Sequence, residues 1–240
     1  MPRTAGALLL ALLAPASGLT AQVQDCPAAE EMPMLVVLAD SIADLREDIR
    51  YATKDNFTGE PLPGYEVGAA LLRPSAAAAL AGVQVRLGEE GLGLLVWDAY
   101  RPVRATLAMV EWAERTGNEW VLDEGYVARR SNHNRGNTID LTVVSLESGE
   151  PLDMGTEYDH FGPESHTATA SGEVQRNRTL LLDAMEVEGW ENYPQEWWHF
   201  TWTGDGGAGD LGGGGEPAEP DFIDVPIGCW VDSGPRARVP

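Results

Sequence analysis

Basic residues are scarce. Lys and Arg total 16 against 38 Asp and Glu, so the 240-residue chain carries a formal net charge of −22. A nucleic-acid binder needs surplus cations to displace counterions from phosphates, and this chain has the opposite surplus. An anionic membrane surface would repel it as well. Long apolar runs are also missing after the first residues, so no stable membrane insertion is expected of the rest. Cysteine is limited to two residues and histidine to four. What is present points to a folded body. The apolar share is 43% and there are eight tryptophans, enough to build a core beneath an acidic surface.

The N-terminus has the layout of a secretory signal. Arg3 gives a basic start, Ala5 to Ala14 form an apolar run, and small residues follow at Ala16, Ser17, Gly18 and Ala21. The expected organisation is a signal peptide over 1–21, an N-terminal segment over 22–48 and one main domain over 49–203. A glycine-rich flexible loop follows over 204–220, and a segment over 221–240 docks back on the domain. An exported chain is periplasmic or secreted. In that setting an even cysteine count predicts a disulfide between Cys26 and Cys229. It would close a loop of about 200 residues, worth on the order of 5 kcal/mol by chain entropy.

Helices are expected from Pro74 to about Leu87, from Pro102 to about Arg115 with Leu107, Val110 and Trp112 in the core, and over 173–189. Gly91 to Trp97, Thr138 to Leu146 and Glu196 to Trp202 read as strands. The mixture lacks strict βαβ alternation. The fold class is therefore α+β, a single domain with a small, mainly antiparallel sheet flanked by helices.

Chemistry concentrates in a few places. His133 and Asp140 lie seven residues apart with Gly136 between them, so a bend at the glycine aims an imidazole and a carboxylate at one point. His199 follows Glu196 by three residues. A His, Asp, His set leaves one position open to water, which is the pattern of a catalytic zinc site. Glu196, as a non-ligand, suits the transfer of a water proton. Arg101, between a buried strand and a helix, suits an oxyanion, with Asp98 placed to orient it. Taken singly, such residues are more often core histidines, turn acceptors or surface ion pairs. The ordered pattern Ser131-x-His-x-x-Gly-x-x-x-Asp140, followed about 55 residues on by Glu-x-x-His, is much harder to meet by chance.

These motifs resemble the D-alanyl-D-alanine dipeptidases of the VanX type, zinc peptidases of the M15 family related to D,D-carboxypeptidases. The likeness runs from Ile49 to Trp202, with a weaker match at Asp221 to Pro226. Tyr51 to Gly59, the Trp-Asp-Ala-Tyr-Arg-Pro ending at Pro102, Ser131 to Thr142, Met154 to Asp159 and Glu196 to Phe200 carry it. The resemblance implies one zinc ion per chain, held by His133, Asp140 and His199. It makes Glu196 the general base and acid and Arg101 the stabiliser of the transition state. It places Asp159 on the free amine of a small dipeptide substrate, with Tyr51 and Ser131 nearby. Lys54 departs from the family, where an aromatic residue is common, and the glycine-rich insert lies outside its core. Two alternatives remain open: a carboxypeptidase or endopeptidase trimming peptidoglycan stem peptides, and a non-catalytic zinc-bearing wall-binding module. The sequence specifies no oligomeric state.

Overall fold

The computed structural model describes residues 26–204 and 222–231. The expected signal peptide, and all but Gly204 of the expected glycine-rich loop, lie outside the described residues.

The architecture is α+β. A small ribbon pairs β1 (Val36–Val37) with β3 (Leu71–Leu72). The main sheet has five strands in the order β2 (Arg46–Glu47), β4 (Leu92–Asp98), β5 (Thr138–Ser145), β7 (His199–Trp202) and β6 (Trp190–Asn192). Only β2 and β4 run parallel; the other pairings are antiparallel. The helices are α1 (Leu38–Ser41), α2 (Pro74–Gly88), α3 (Val103–Thr116), α4 (Trp120–Asp123), α5 (Gly172–Val187) and α6 (Gly228–Val231). None of them is long and apolar enough to cross a membrane.

Residue choice explains the main pieces. α2 opens on Pro74, whose missing N–H is not needed in a first turn. Its buried positions, Ala76, Ala77, Leu80, Val83, Gln84 and Leu87, recur at three- and four-residue steps and pack on β4. Gln84 is buried because its Oε1 accepts the Leu94 N–H of that strand at 3.0 Å. α3 ends where Gly117 turns left-handed at φ 72°, and its N–H caps the Ala113 carbonyl. The buried face of α3 is Ala105, Thr106, Met109 and Ala113, and Leu107 is 58% exposed, contrary to the sequence expectation. The reason is phase: Ala105, Met109 and Ala113 lie four apart on one face, and Leu107 lies off it.

β5 is the sheet's centre and is buried from Thr138 to Val144. Its register positions the chemistry. Asp140 stands opposite His199 of β7 and opposite Asp98 of β4. The β4 pairing slips by one residue between Val96 and Asp98, so Trp97 is extra. An extra residue flips the later side chains of its strand to the other face. This slip sets Asp98 beside Asp140 and completes the row Asp98, Asp140, His199 across three strands.

The stretch 222–231 lies over the loop after β4. The Ile223 N–H donates to the Asn134 carbonyl at 2.8 Å, and the Val103 N–H donates to the Ile223 carbonyl at 3.1 Å. The Tyr100 hydroxyl accepts the Val225 N–H at 3.0 Å. Arg104 pairs with Asp224 at 2.9 Å. Cys229 is bonded to Cys26, with the Cα atoms 5.6 Å apart across a sequence separation of 203.

Candidate active site

A short 3-10 helix, Asn132–Arg135, presents His133. Ser131 caps it, its Oγ accepting the His133 N–H at 3.2 Å, while Asn134 Oδ1 accepts the Ser131 N–H at 3.3 Å. Gly136 ends the turn at φ 73°. A Cβ there would stand 2.7 Å from a Leu35 methyl, so the bend requires glycine twice over. The Nδ1–H of His133 donates to the Ala99 carbonyl at 2.7 Å. A carbonyl only accepts, so in the neutral ring Nε2 carries the lone pair. Nε2 faces Asp140 Oδ1 at 3.3 Å. His199 Nδ1 lies 3.0 Å from the same oxygen and 3.3 Å from His133 Nε2.

The three donor atoms lie within 4.8 Å of one another. Asp140 Oδ1 is buried and accepts no hydrogen bond among the described residues. Burial disfavours the charge on Asp140, but while the two imidazoles are protonated their charge outweighs burial and holds Asp140 well below the usual carboxylate range; burial in turn favours loss of the His199 proton, which frees its lone pair. Converging lone pairs on an orphaned buried carboxylate oxygen fit a divalent cation. Two imidazoles and a carboxylate are a donor set suited to zinc.

Glu196 arrives by a turn rather than a strand. Its N–H donates to the Tyr193 carbonyl at 2.9 Å, and the His199 N–H donates to the Glu196 carbonyl at 3.2 Å. The expected strand from Glu196 therefore begins only at His199. The turn sets Glu196 Oε2 3.6 Å from His199 Nδ1. Burial, then Asp140 and Asp159, push the Glu196 carboxyl well up, and Arg101 opposes them. Asp98 accepts from Arg101 Nε at 2.9 Å and Nη2 at 2.8 Å, and also accepts the Tyr65 hydroxyl. Burial disfavours the guanidinium charge, yet Asp98 overrides it and Arg101 stays cationic. Arg101 Nη2 lies 3.8 Å from Asp140 Oδ2.

Asp159 lines the same cavity as these groups. Its φ of 58° is left-handed, an uncommon and costly state for a non-glycine residue. Its carboxylate accepts the Tyr51 hydroxyl at 3.0 Å. Burial first, and Asp140 second, raise its pKa to about 8 against the pull of Tyr51 and Arg101. It makes no ion pair among the described residues, so its charge becomes favourable when a cation enters.

All eight candidate catalytic, metal and substrate residues line one cavity of about 280 Å³. The cysteines lie elsewhere, in the disulfide. Shallower depressions on the surface are larger but gather no such groups, as the one between α2 and α5 shows. Several residues beyond the sequence candidates belong to the site. Phe57, Tyr126 and Phe161 form an aromatic wall. Asn134 holds the Arg101 carbonyl at 2.8 Å. Tyr158 donates to Asp140 Oδ2 at 2.9 Å. Its position directly before Asp159 was the available signal. His160 is exposed beside Glu164, and His166 contacts the Tyr126 hydroxyl at 3.1 Å, so neither joins the triad.

A family model described as Peptidase_M15, D-ala-D-ala dipeptidase, matches residues 31–211. A D-alanyl-D-alanine dipeptidase of Enterococcus faecalis is 38% identical over 178 residues, covering 68% of this chain and 88% of that protein. One of Streptomyces coelicolor is 38% identical over 177 residues, covering 67% of this chain and 87% of that protein. One of Escherichia coli K12 is 38% identical over 168 residues, covering 69% of this chain and 83% of that protein.

Proposed function

The chain belongs to the M15 peptidases of the D-Ala-D-Ala dipeptidase family, and we propose that it hydrolyses D-alanyl-D-alanine to two D-alanines with one zinc ion held by His133, Asp140 and His199. When bound, zinc supplies a Lewis acid at the scissile carbonyl and makes water more acidic. The protein's own groups divide the remaining work. Glu196 takes a proton from the attacking water and returns it to the departing amide nitrogen, ending in its starting state. The water oxygen stays on the carbonyl carbon as the C–N bond breaks. Arg101, held rigid by Asp98, donates to the oxygen on which negative charge develops. Asp159 pairs with the substrate ammonium and places the peptide bond between these groups.

One observation carries the choice of a dipeptide over a longer peptide. The buried Asp159, with no ion pair of its own among the described residues, lines the same cavity of only about 280 Å³ as the catalytic groups. Such an acid selects a small substrate with a free amine. Capping that amine removes the cation that makes a charged Asp159 favourable, a loss of about 2–5 kcal/mol. N-acetyl-D-Ala-D-Ala is therefore expected to show kcat/KM lower than the free dipeptide by about 30-fold or more. The check is D-alanine release from the free dipeptide, the capped dipeptide and a stem pentapeptide. Comparable release from the pentapeptide would replace this assignment with a D,D-carboxypeptidase.

Export of the protein is part of the same reading. The apolar run at Ala5 to Ala14 and the Cys26–Cys229 bridge support it, because such bridges persist in oxidising compartments. An exported enzyme fits recycling or scavenging of D-alanine from wall material. N-terminal sequencing of protein recovered outside the cytosol tests this, and an uncleaved cytosolic chain would sink it.

A further inference from the structure

Resting on the peptidase reading, we propose that Tyr158 is a positioning residue whose hydroxyl selects which oxygen of Asp140 faces the metal position and ties that carboxylate to the amine-binding Asp159 through Tyr51. Two acids share this cavity, and two hydroxyls lie between them. The Tyr158 hydroxyl is 2.9 Å from Asp140 Oδ2 and 3.1 Å from the Tyr51 hydroxyl. The Tyr51 hydroxyl is 3.0 Å from Asp159 Oδ2. Each tyrosine has one proton to give: Tyr158 gives its own to Asp140 and Tyr51 gives its own to Asp159, so the two hydroxyl oxygens meet at 3.1 Å without a third proton between them. The result is a row of polar contacts from Asp140 to Asp159.

The row leaves the two oxygens of Asp140 unequal. Oδ2 is taken by Tyr158, and Arg101 Nη2 stands farther off at 3.8 Å. Oδ1 is left without a hydrogen bond among the described residues, and it is the oxygen that faces both imidazoles at 3.3 and 3.0 Å. A carboxylate free to rotate would offer either oxygen, or both. The Tyr158 hydroxyl removes that freedom and commits Asp140 to one ligand atom. Its own ring is fixed in turn. It stacks on Trp97 with centroids 4.9 Å apart at 23°, and Trp198 meets it edge-on at 5.6 Å.

The Tyr51 link gives the residue a second consequence. Tyr51 is buried, and the Arg101 guanidinium carbon lies 5.1 Å from its ring centre. Removing the Tyr158 hydroxyl frees both Asp140 and the Tyr51 hydroxyl, whereas removing the Tyr51 hydroxyl leaves the Asp140 contact in place. The two tyrosines are thus separable by experiment.

The test is zinc affinity by competition with a chelating dye, read without substrate, alongside steady-state kinetics on D-Ala-D-Ala. Tyr158→Phe keeps the stacked ring and is expected to bind zinc about 10- to 100-fold more weakly. The metal-free variant should melt with the wild type. Tyr51→Phe is expected to bind zinc as the wild type does and to raise KM with little change in kcat. Wild-type zinc affinity in Tyr158→Phe would overturn the proposal. So would an equal drop in the melting temperature of the metal-free variant, which would mark the hydroxyl as a fold contact. Because affinity is read without substrate, a wild type that leaves the dipeptide uncut counts against the peptidase reading alone.

Discussion

Glu196→Gln is expected to lower kcat on D-Ala-D-Ala by about 10²- to 10⁴-fold while zinc binding survives. The carboxamide keeps the shape of the side chain and the turn that carries it, because that turn is held by backbone bonds and by Asn192 Nδ2 on the Glu196 carbonyl at 3.0 Å. It loses the ability to accept a proton from water and to hand it to the leaving nitrogen. The change also removes a buried acid whose pKa is pushed up by burial first and then by the like charges of Asp140 and Asp159. The metal-free variant should therefore be no less stable than the wild type. Unchanged or improved melting with turnover lost separates a chemical defect from a folding defect. Chelator competition, a thermal melt and kcat on one preparation make the check. Activity within about tenfold of wild type would remove Glu196 from the mechanism. Absence of turnover in the wild type itself would revive the reading of a wall-binding module that carries zinc without catalysis.

The second large effect concerns stability. Cys229→Ser or Cys26→Ser is expected to lower the unfolding free energy by about 2–5 kcal/mol. For a domain of this size that is a fall in melting temperature of roughly 4–20 °C. The bridge spans 203 residues, so opening it enlarges the unfolded ensemble more than a short-loop disulfide would. The loss acts on the site as well. The stretch that ends in Cys229 donates the Ile223 N–H to Asn134, and Asn134 holds the Arg101 carbonyl. The remaining anchors at Tyr100 and Arg104 keep that stretch docked at room temperature. Wild type in reductant should melt with either serine variant, and the double variant should show no further loss. Equal melting with and without reductant would show that the bridge carries no stability.

Much of this was legible in the sequence, for identifiable reasons. α2 was legible because proline and alanine state a helix start locally. β5 was legible because Ile139, Leu141, Val143 and Val144 are β-formers in one run. The metal set was legible because its spacing frames a glycine turn that a larger residue would block. The start of β7 was not, because Trp197 and Trp198 have strand-like propensity yet are buried in a turn, where tertiary packing decides. Leu107 misled for a related reason, since composition does not reveal helix phase. The slip at Trp97 leaves no local mark, although it places Asp98 beside Asp140. Tyr158 was missed because its partners lie 18 and 107 residues away, and such separations appear only in the folded sheet.

The bridge also sets an order of events in the making of the protein. Cys26 is synthesised early and waits through 203 further residues for its partner. The last of the proposed catalytic and metal residues, His199, precedes Cys229 in the chain. A growing chain therefore contains every chemical group of the cavity before it can be covalently closed. The sulfur–sulfur bond is thus a late seal on a cavity whose groups are already all in the chain.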